Sequence, residues 1–288
     1  MYTGQKQYEI GLYEKAVPPD LSWRDKLLAA KEAGFDYMEI SIDETEEKIA
    51  RLDMGREEME KLMRTMHETG LPIRSMCLSG HRKNPLGSSS PQIERRAMEM
   101  MEKAIDFADE LGIRTIQLAG YDVYYEKGTE ETRQRFKKNL AKAVDMAAKK
   151  GVMLGFETME TEFMNTVSKS MEFVQEMDSI YLGVYPDVGN LTNASCLYHS
   201  DIEEDIMKGK GHIAAVHLKE TKPGIFREVP FGTGHVDFPR MISVFWEMGV
   251  RRYVTELWYT GSADWKKDIL DARERMERIL EECERSQI

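Results

Sequence analysis

The sequence predicts a closed (β/α)8 barrel, or TIM barrel, formed by a single domain that spans residues 1–288. Eight short segments rich in β-branched and aromatic residues alternate with longer helical patterns, as expected of repeated βα units. Three connections share one device, a helix that ends on glycine and leads directly into the next strand: Ala33–Tyr37, Leu111–Thr115 and Met248–Arg252. A length of 288 residues is also usual for one such barrel.

The eight predicted strands are short and mostly apolar. In chain order they are Tyr8–Tyr13, Tyr37–Ile42, Ile73–Leu78, Ile113–Leu118, Val152–Phe156, Tyr181–Tyr185, Ile213–His217 and Tyr253–Glu256. Because a helical segment follows each of them, we expect consecutive strands to run parallel and to lie side by side.

The predicted helices are bounded by recognisable capping residues. Ser22 is a suitable N-cap for the first helix and Gly34 ends it, while Gly70, Gly112 and Gly151 end the next three. The later helical patterns, together with a loop rich in Gly, Pro and Ser, cover these ranges: helices at 92–111, 130–150, 166–177, 201–208, 238–248 and 263–285, and the loop at 79–91. The pattern at 201–208 is the weakest of them.

A doubly wound open sheet is the structural alternative to the barrel. Such a sheet usually carries a GxGxxG turn after its first strand, where the glycines admit a pyrophosphate close to the backbone. The sequence has no such turn after Tyr13, and this favours the barrel.

Composition and charge restrict the classes of function. Apolar residues make up 41% and charged residues 32% of the chain, which is typical of a soluble globular protein. The formal net charge of −11 disfavours binding to nucleic acid, although a local group of cations can still hold a small anionic substrate. No segment reaches the roughly 18 consecutive apolar residues needed to span a membrane.

The cellular compartment is inferred from the N-terminal segment and the cysteines. The first ten residues lack the basic stretch and apolar run of a signal peptide, so we expect a cytoplasmic protein. Cys77, Cys196 and Cys283 are widely separated and odd in number, and we expect them to be free thiols in a reducing compartment.

Four polar residues at the ends of the last four predicted strands indicate a metal site. Glu157, Asp187, His217 and Glu256 are separated by 30, 30 and 39 residues, about one βα unit each. Carboxyl ends of barrel strands meet at one face, so these side chains should converge there. Three carboxylates in contact would repel one another, and one divalent cation, Zn²⁺, Mn²⁺, Co²⁺ or Mg²⁺, would remove that repulsion.

The same four residues suggest a reaction. A divalent ion beside a carbonyl group stabilises an enediolate by several kcal/mol. Glu157 and Glu256 lie on different strands, so one could remove a proton from the substrate while the other returns one to the opposite face. The expected outcome is epimerisation at a carbon next to a ketone.

Several longer motifs extend this interpretation to a family. They are Gly11–Ala16, Ser75–Ser79 with His81 and Arg82, Gln117–Tyr125, Tyr185–Leu191, Val216–Gly224 and Val229–Phe238. With these motifs the chain resembles, over almost its whole length, the sugar-phosphate epimerases of the xylose-isomerase-like barrel superfamily, and most closely those that act on L-ribulose 5-phosphate.

The resemblance implies a metal-dependent inversion at C3 that interconverts L-xylulose 5-phosphate and L-ribulose 5-phosphate, in pentose or L-ascorbate catabolism. It implies the metal ligands Glu157, Asp187, His217 and Glu256, with Glu157 and Glu256 as the acid–base pair. The partner would then be a small phosphorylated ketopentose, and we expect a homodimer.

Polar residues at or just beyond the predicted strand ends are candidates for binding the sugar phosphate. A phosphate group requires cations or backbone N–H donors, and a sugar requires hydrogen-bonding side chains. The candidates are Lys15, His81, Arg82, Asn190, Lys219, Lys222 and Arg227.

Other activities on this kind of barrel stay open at this point. They include another ketose 3-epimerase, a polyol dehydratase that also begins with proton removal, and a two-metal aldose–ketose isomerase that would require further carboxylates and a second histidine. An abasic-site endonuclease is disfavoured by the acidic charge, and a non-catalytic binding protein would not require two glutamates that face each other.

Overall fold

The computed structural model describes residues 6–286 and contains one eight-stranded barrel surrounded by helices. All strand pairs are parallel, and the hydrogen-bonded order is β6-β5-β4-β3-β2-β1-β8-β7. The strands are β1 Glu9–Tyr13, β2 Tyr37–Ile42, β3 Ile73–Leu78, β4 Thr115–Ala119, β5 Met153–Glu157, β6 Leu182–Tyr185, β7 Val216–Lys219 and β8 Arg252–Glu256. The predicted fold class is confirmed.

The contact between β6 and β7 closes the barrel without a full ladder. Isolated parallel bridges join Val184 to Ile213 and Asp187 to His217. The backbone N–H of Ala214 donates to the carbonyl of Val184 at 2.8 Å. Backbone hydrogen bonding therefore continues around the whole circumference, as a barrel requires.

Ten α-helices occupy the connections among the described residues. They are α1 Trp23–Glu32, α2 Glu46–Ile49, α3 Arg56–Thr69, α4 Pro91–Leu111, α5 Glu130–Lys150, α6 Val167–Met177, α7 Val188–Tyr198, α8 Ile202–Met207, α9 Phe238–Glu247 and α10 Trp265–Arg285. Short 3₁₀ helices lie at Glu14–Ala16, Ala50–Asp53 and Gly80–Arg82. None of the helices in residues 6–286 is both long enough and apolar enough to cross a membrane.

The predicted helix caps are confirmed. The Ser22 hydroxyl accepts a hydrogen bond from the backbone N–H of Asp25 at 3.2 Å. Gly70, Gly112 and Gly151 end α3, α4 and α5 with φ values of 68°, 75° and 68°. These left-handed conformations strain residues that have a Cβ, which is why glycine ends these helices.

The bounds of two predicted strands need correction, and one helix was not predicted. The strand predicted at Ile213–His217 is β7 at Val216–Lys219, because Ile213 makes only an isolated bridge and His217 lies within the strand. The strand predicted at Ile113–Leu118 begins at Thr115. Helix α7 was not predicted, since Gly189 and two asparagines lower its helix propensity and tertiary contacts stabilise it instead.

Alternation along the strands divides the core into two regions. Ile10, Leu12, Met38 and Ile40 belong to the large cluster that packs between the barrel and its helices. The intervening residues face the barrel interior, where they form a second, smaller cluster: Tyr13, Tyr37, Cys77, Tyr185, Ala215 and Val254. The interior is so closely packed that a Cβ at Gly11 would lie 2.4 Å from the Tyr37 ring.

Candidate metal centre

The four residues predicted as metal ligands converge at the carboxyl ends of the strands. Glu157 and Glu256 end β5 and β8, His217 lies in β7, and Asp187 follows β6. One potential ligand atom from each lies within 4.8 Å of the corresponding atom of every other, and all four residues are buried. The structure thus brings together the whole predicted set.

Asp187 is held in place by its role as the N-cap of α7. Its Oδ1 atom accepts a hydrogen bond from the backbone N–H of Asn190 at 2.7 Å. Its own backbone N–H donates to the hydroxyl of Thr158 at 3.0 Å. Because Oδ1 caps the helix, the second oxygen, Oδ2, remains for the cluster.

The two ring nitrogens of His217 contact different carboxylates. Nδ1 lies 2.6 Å from Oε2 of Glu256 and 3.9 Å from Oε1 of Glu157. Nε2 lies 2.6 Å from Oε1 of Glu39, a β2 residue within the barrel. The Nδ1 atom therefore belongs to the cluster, and Nε2 is directed at a different group.

Lys219 adds a buried cation beside the carboxylates. Its Nζ atom lies 3.1 Å from Oδ2 of Asp187 and donates to Oδ1 of Asn190 at 2.9 Å. The Nδ2 atom of Asn190 donates in turn to the carbonyl of Thr158 at 2.7 Å. Two predicted substrate-binding residues, Lys219 and Asn190, thus lie directly against a predicted metal ligand.

The three carboxylates of the cluster differ in pKa. Burial, followed by the charge of Glu256, raises the pKa of Glu157 to about 8. Burial also raises the pKa of Asp187 to about 7, although Lys219 opposes the shift. Burial alone would raise the pKa of Glu256 as well, but the charges of Lys219 and His217 outweigh it and hold this pKa well below its usual range.

The carboxylates also shift the pKa values of His217 and Lys219. Burial by itself lowers the pKa of His217, but the charges of Glu39 and Glu256 raise it well above its usual value. The pKa of Lys219 is likewise raised, because Asp187, Glu256 and Glu157 outweigh the effect of burial. The positive charges of His217 and Lys219 therefore oppose the repulsion among the three carboxylates.

The residues fit one divalent cation. Oδ2 of Asp187 and Oε2 of Glu256 are buried and accept no hydrogen bond from residues 6–286. Lys219 lies near the first oxygen and His217 near the second. Such orphaned acceptors are unusual inside a protein. Three carboxylates and one imidazole form a donor set that suits Zn²⁺, Mn²⁺, Co²⁺ or Mg²⁺.

A second polar group lies in the loops at the same end of the barrel, and we call it the arginine–tyrosine cluster: Arg82, Tyr124, Glu160 and Arg227. The Arg227 guanidinium and the Tyr124 hydroxyl each donate to Oε1 of Glu160 at 2.8 Å. The Arg82 guanidinium lies 4.8 Å from the centroid of the Tyr124 ring. Burial favours the protonated form of Glu160, but the charge of Arg227 outweighs it and lowers the pKa of Glu160.

The other predicted substrate-binding residues, Lys15, His81 and Lys222, make different contacts. The Lys15 ammonium forms an ion pair with Asp43 at 2.6 Å, and Lys222 is exposed in the loop after β7. His81 is buried, and its Nε2 atom contacts the carbonyl of Ala97 in α4 at 3.1 Å. Burial lowers the pKa of His81 to about 4. The His81 side chain thus contacts α4, whereas its neighbour Arg82 belongs to the arginine–tyrosine cluster.

Sequence reasoning missed two interior residues that touch His217. Glu39 contacts Nε2, and the Gln117 amide nitrogen lies 3.0 Å from Nδ1. The sequence does indicate Glu39, because it is an acidic residue between two apolar residues of β2. It also lies on the same face of the strand as Tyr37. A carboxylate at such a position must have a buried partner.

Comparison with known proteins places these features in a family. A family model described as xylose isomerase-like TIM barrel matches residues 27–283. L-ribulose-5-phosphate 3-epimerase UlaE of Shigella sonnei (strain Ss046) is 42% identical over 270 residues, which cover 93% of this chain and 94% of the relative. The enzyme of the same name from Salmonella heidelberg (strain SL476) is 43% identical with the same coverage.

Solved structures agree on the fold. A structure of L-ribulose 3-epimerase aligns with a TM-score of 0.79 and 17% identity, covering 97% of both chains. A xylose isomerase-like TIM barrel protein from Mycobacterium smegmatis, in complex with magnesium, aligns with a TM-score of 0.72 and 16% identity, covering 96% of this chain and 97% of that one.

Proposed function

The chain belongs to the xylose isomerase-like TIM barrel family and is a sugar epimerase, and from this premise we propose that it interconverts L-xylulose 5-phosphate and L-ribulose 5-phosphate by inversion at C3. Family membership confirms the resemblance that the sequence motifs indicated. The observation that carries the proposal is the convergence of Glu157 and Glu256, from separate strands, with Asp187 and His217 within 4.8 Å.

The two glutamates supply the proton transfers. A divalent ion held by Glu157, Asp187, His217 and Glu256 would, when bound, supply positive charge that stabilises an enediolate. One glutamate removes the C3 proton, and the electron pair of the broken C–H bond moves towards the C2 oxygen, which leaves an enediolate. The other glutamate delivers a proton to the opposite face of C3, and in the reverse direction the two exchange roles.

Residues near Asp187 are suited to orient the sugar. Lys219 and Asn190 both lie against this carboxylate, and both carry hydrogen-bonding groups. Their mutual hydrogen bond fixes the lysine, so little side-chain entropy remains to be lost when substrate binds. We assign them to the sugar hydroxyls nearest the metal centre.

The arginine–tyrosine cluster is suited to hold the phosphate. Arg82 and Arg227 follow β3 and β7, so both lie at the same end of the barrel as the four predicted metal ligands. Guanidinium groups bind phosphate through paired N–H donors, and Glu160 already holds Arg227 in place. Lys15 and Lys222 lie after β1 and β7 as further cations that a phosphate could recruit.

The decisive experiment follows the C3 proton. Metal-loaded protein is incubated with L-xylulose 5-phosphate in D₂O, and the products are examined by NMR. We expect L-ribulose 5-phosphate to form with deuterium at C3. An unlabelled C3 in the product, or an enone formed by loss of water, would contradict the proposed epimerisation.

A matched control identifies the substrate class. The same incubation with unphosphorylated L-xylulose tests whether the phosphate is required. We expect conversion of the free ketose to be slower, because the arginine–tyrosine cluster would then have no phosphate to bind. Equal rates would instead assign the protein to the ketose 3-epimerases that act on free sugars.

We also propose that the enzyme is a cytoplasmic homodimer of pentose or L-ascorbate catabolism. The free thiols of Cys77, Cys196 and Cys283 support a reducing compartment. Light scattering on the purified chain measures the oligomeric state directly, and a mass of about 67 kDa, twice the 33.3 kDa of one chain, is expected.

A further inference from the structure

Glu39 is a fully buried carboxylate that the proposed reaction does not use. It lies in the middle of β2, faces the barrel interior and has 0% exposure. Its Oε1 atom is 2.6 Å from Nε2 of His217, and its Oε2 atom accepts a hydrogen bond from the Tyr185 hydroxyl at 2.9 Å. A carboxylate is expensive to bury, so a residue that only filled space here would be apolar.

The geometry points to a role for Glu39 at the metal centre: we propose that it is a positioning residue that accepts the Nε2–H of His217 and so leaves the Nδ1 lone pair directed at the metal. This inference rests on the proposed metal centre. Metal-binding histidines usually donate their second ring N–H to a carboxylate or carbonyl, which fixes the tautomer and increases the basicity of the ligand.

The backbone of His217 is fixed without help from Glu39. Its N–H donates to the carbonyl of Pro186 at 2.9 Å, and β7 pairs with β8 in a register that sets His217 opposite Val254. Glu39 can therefore control only the orientation and tautomer of the ring. These are the properties that determine whether Nδ1 can bind a metal.

Tyr185 contacts both Glu39 and His217. Its hydroxyl holds the second oxygen of Glu39, and its ring lies 5.0 Å from that of His217 at an interplanar angle of 67°. The carboxylate is thus held by contacts on both oxygens, and Glu39, His217 and Tyr185 form one connected unit. Loss of the tyrosine hydroxyl should loosen Glu39 without removing it.

The test measures metal affinity in the absence of substrate. Zn²⁺ affinity is determined by competition with a chromophoric chelator for the wild-type protein and for Glu39→Gln, Glu39→Leu and Tyr185→Phe. We expect Glu39→Leu to weaken binding about 10- to 100-fold, the range found when such partners of ligating histidines are removed. Glu39→Gln, which can still accept the Nε2–H, should weaken binding less, and Tyr185→Phe least.

A double-mutant cycle separates this role from general stabilisation of the core. In a His217→Ala background, Glu39→Gln should no longer change Zn²⁺ affinity, because the residue acts through the histidine. Asp122→Asn is the matched control, a buried acid that contacts Thr132 and Val123 instead, and it should bind Zn²⁺ as the wild type does.

Three outcomes would overturn the inference. The first is wild-type Zn²⁺ affinity in both Glu39 variants. The second is an equal loss of Zn²⁺ affinity when Glu39→Gln is introduced into the wild type and into His217→Ala. Failure of the wild-type protein itself to bind Zn²⁺, Mn²⁺, Co²⁺ or Mg²⁺ would remove the metal centre as well. The first two results leave the proposed epimerase intact, so the two proposals fail separately.

Discussion

The ammonium group of Lys219 lies 3.1 Å from Oδ2 of Asp187, inside a cluster that also contains Glu157 and Glu256. The lysine is 3% exposed and the aspartate 0%, so water screens neither charge. In the metal-free protein this cation offsets part of the repulsion among three carboxylates. A divalent ion would offset the same repulsion, so the lysine and the metal should substitute for each other in part.

Lys219→Met should therefore destabilise the metal-free protein far more than the metal-loaded one. Removal of one partner from a buried ion pair costs about 3–5 kcal/mol, because the other charge remains buried. Thermal unfolding with chelator and with added divalent metal measures the two states. The metal-induced rise in Tm should be larger in the variant than in the wild type.

Lys222→Met is the matched control for that experiment. This lysine lies in the loop after β7 and is exposed, so its removal should leave both Tm values nearly unchanged. Identical metal-free Tm values for Lys219→Met and the wild type would mean that the lysine does not offset the carboxylate charge.

Glu157→Gln and Glu256→Gln should each lower kcat by about 10²- to 10⁴-fold, the usual contribution of one general acid or base. Both residues are also predicted ligands, so weaker metal binding must be separated from lost proton transfer. The measurement is kcat at saturating metal, together with deuterium incorporation at C3.

Asp187→Asn provides that separation. Asparagine caps a helix as well as aspartate does, so α7 should persist, and the residue has no assigned proton transfer. Saturating metal should restore most of the activity of Asp187→Asn but little of that of the two glutamine variants. Full recovery of Glu157→Gln and Glu256→Gln under the same conditions would exclude them as the acid–base pair.

Much of the candidate metal centre could be predicted from the sequence because its residues follow a topological rule. Glu157, Asp187, His217 and Glu256 each lie at or near the carboxyl end of a strand, and βα periodicity alone places those ends at one face. No side-chain packing had to be known. The rule predicted the position of His217 in the cluster even though the predicted bounds of β7 were wrong.

The contacts across the barrel could not be predicted in the same way. Strand parity shows that Glu39 and Lys219 face the interior, but which residue each meets there depends on strand tilt and stagger. Helix α7 was missed for a related reason, since its stability comes from contacts such as the bond from Asn190 to Thr158 and not from its own propensities.

Arg82→Met and Arg227→Met should weaken the use of phosphorylated substrate selectively. Loss of a hydrogen bond to a charged group costs about 1.5–3 kcal/mol, so kcat/KM for L-ribulose 5-phosphate should fall about 10- to 100-fold in each variant. For unphosphorylated L-ribulose the two variants should match the wild type. An equal fall for both sugars would assign the arginines to loop structure instead of phosphate binding.

His81 should make the protein less stable as the pH falls. Burial lowers the pKa of His81 to about 4 from an ordinary value of 6.5, so between these values the unfolded chain binds a proton that the folded protein does not. The contribution of His81 to the free energy of unfolding is therefore fully present above pH 6.5. It is lost as the pH falls towards 4, by about 3 kcal/mol in total. In His81→Gln the side-chain amide can still donate to the Ala97 carbonyl but does not titrate. The measurement is urea unfolding of the metal-free proteins at several pH values between 7 and 4.5. As the pH falls, the free energy of unfolding should decrease more steeply for the wild type than for His81→Gln. Parallel decreases would mean that His81 is protonated as readily in the folded state as in the unfolded one.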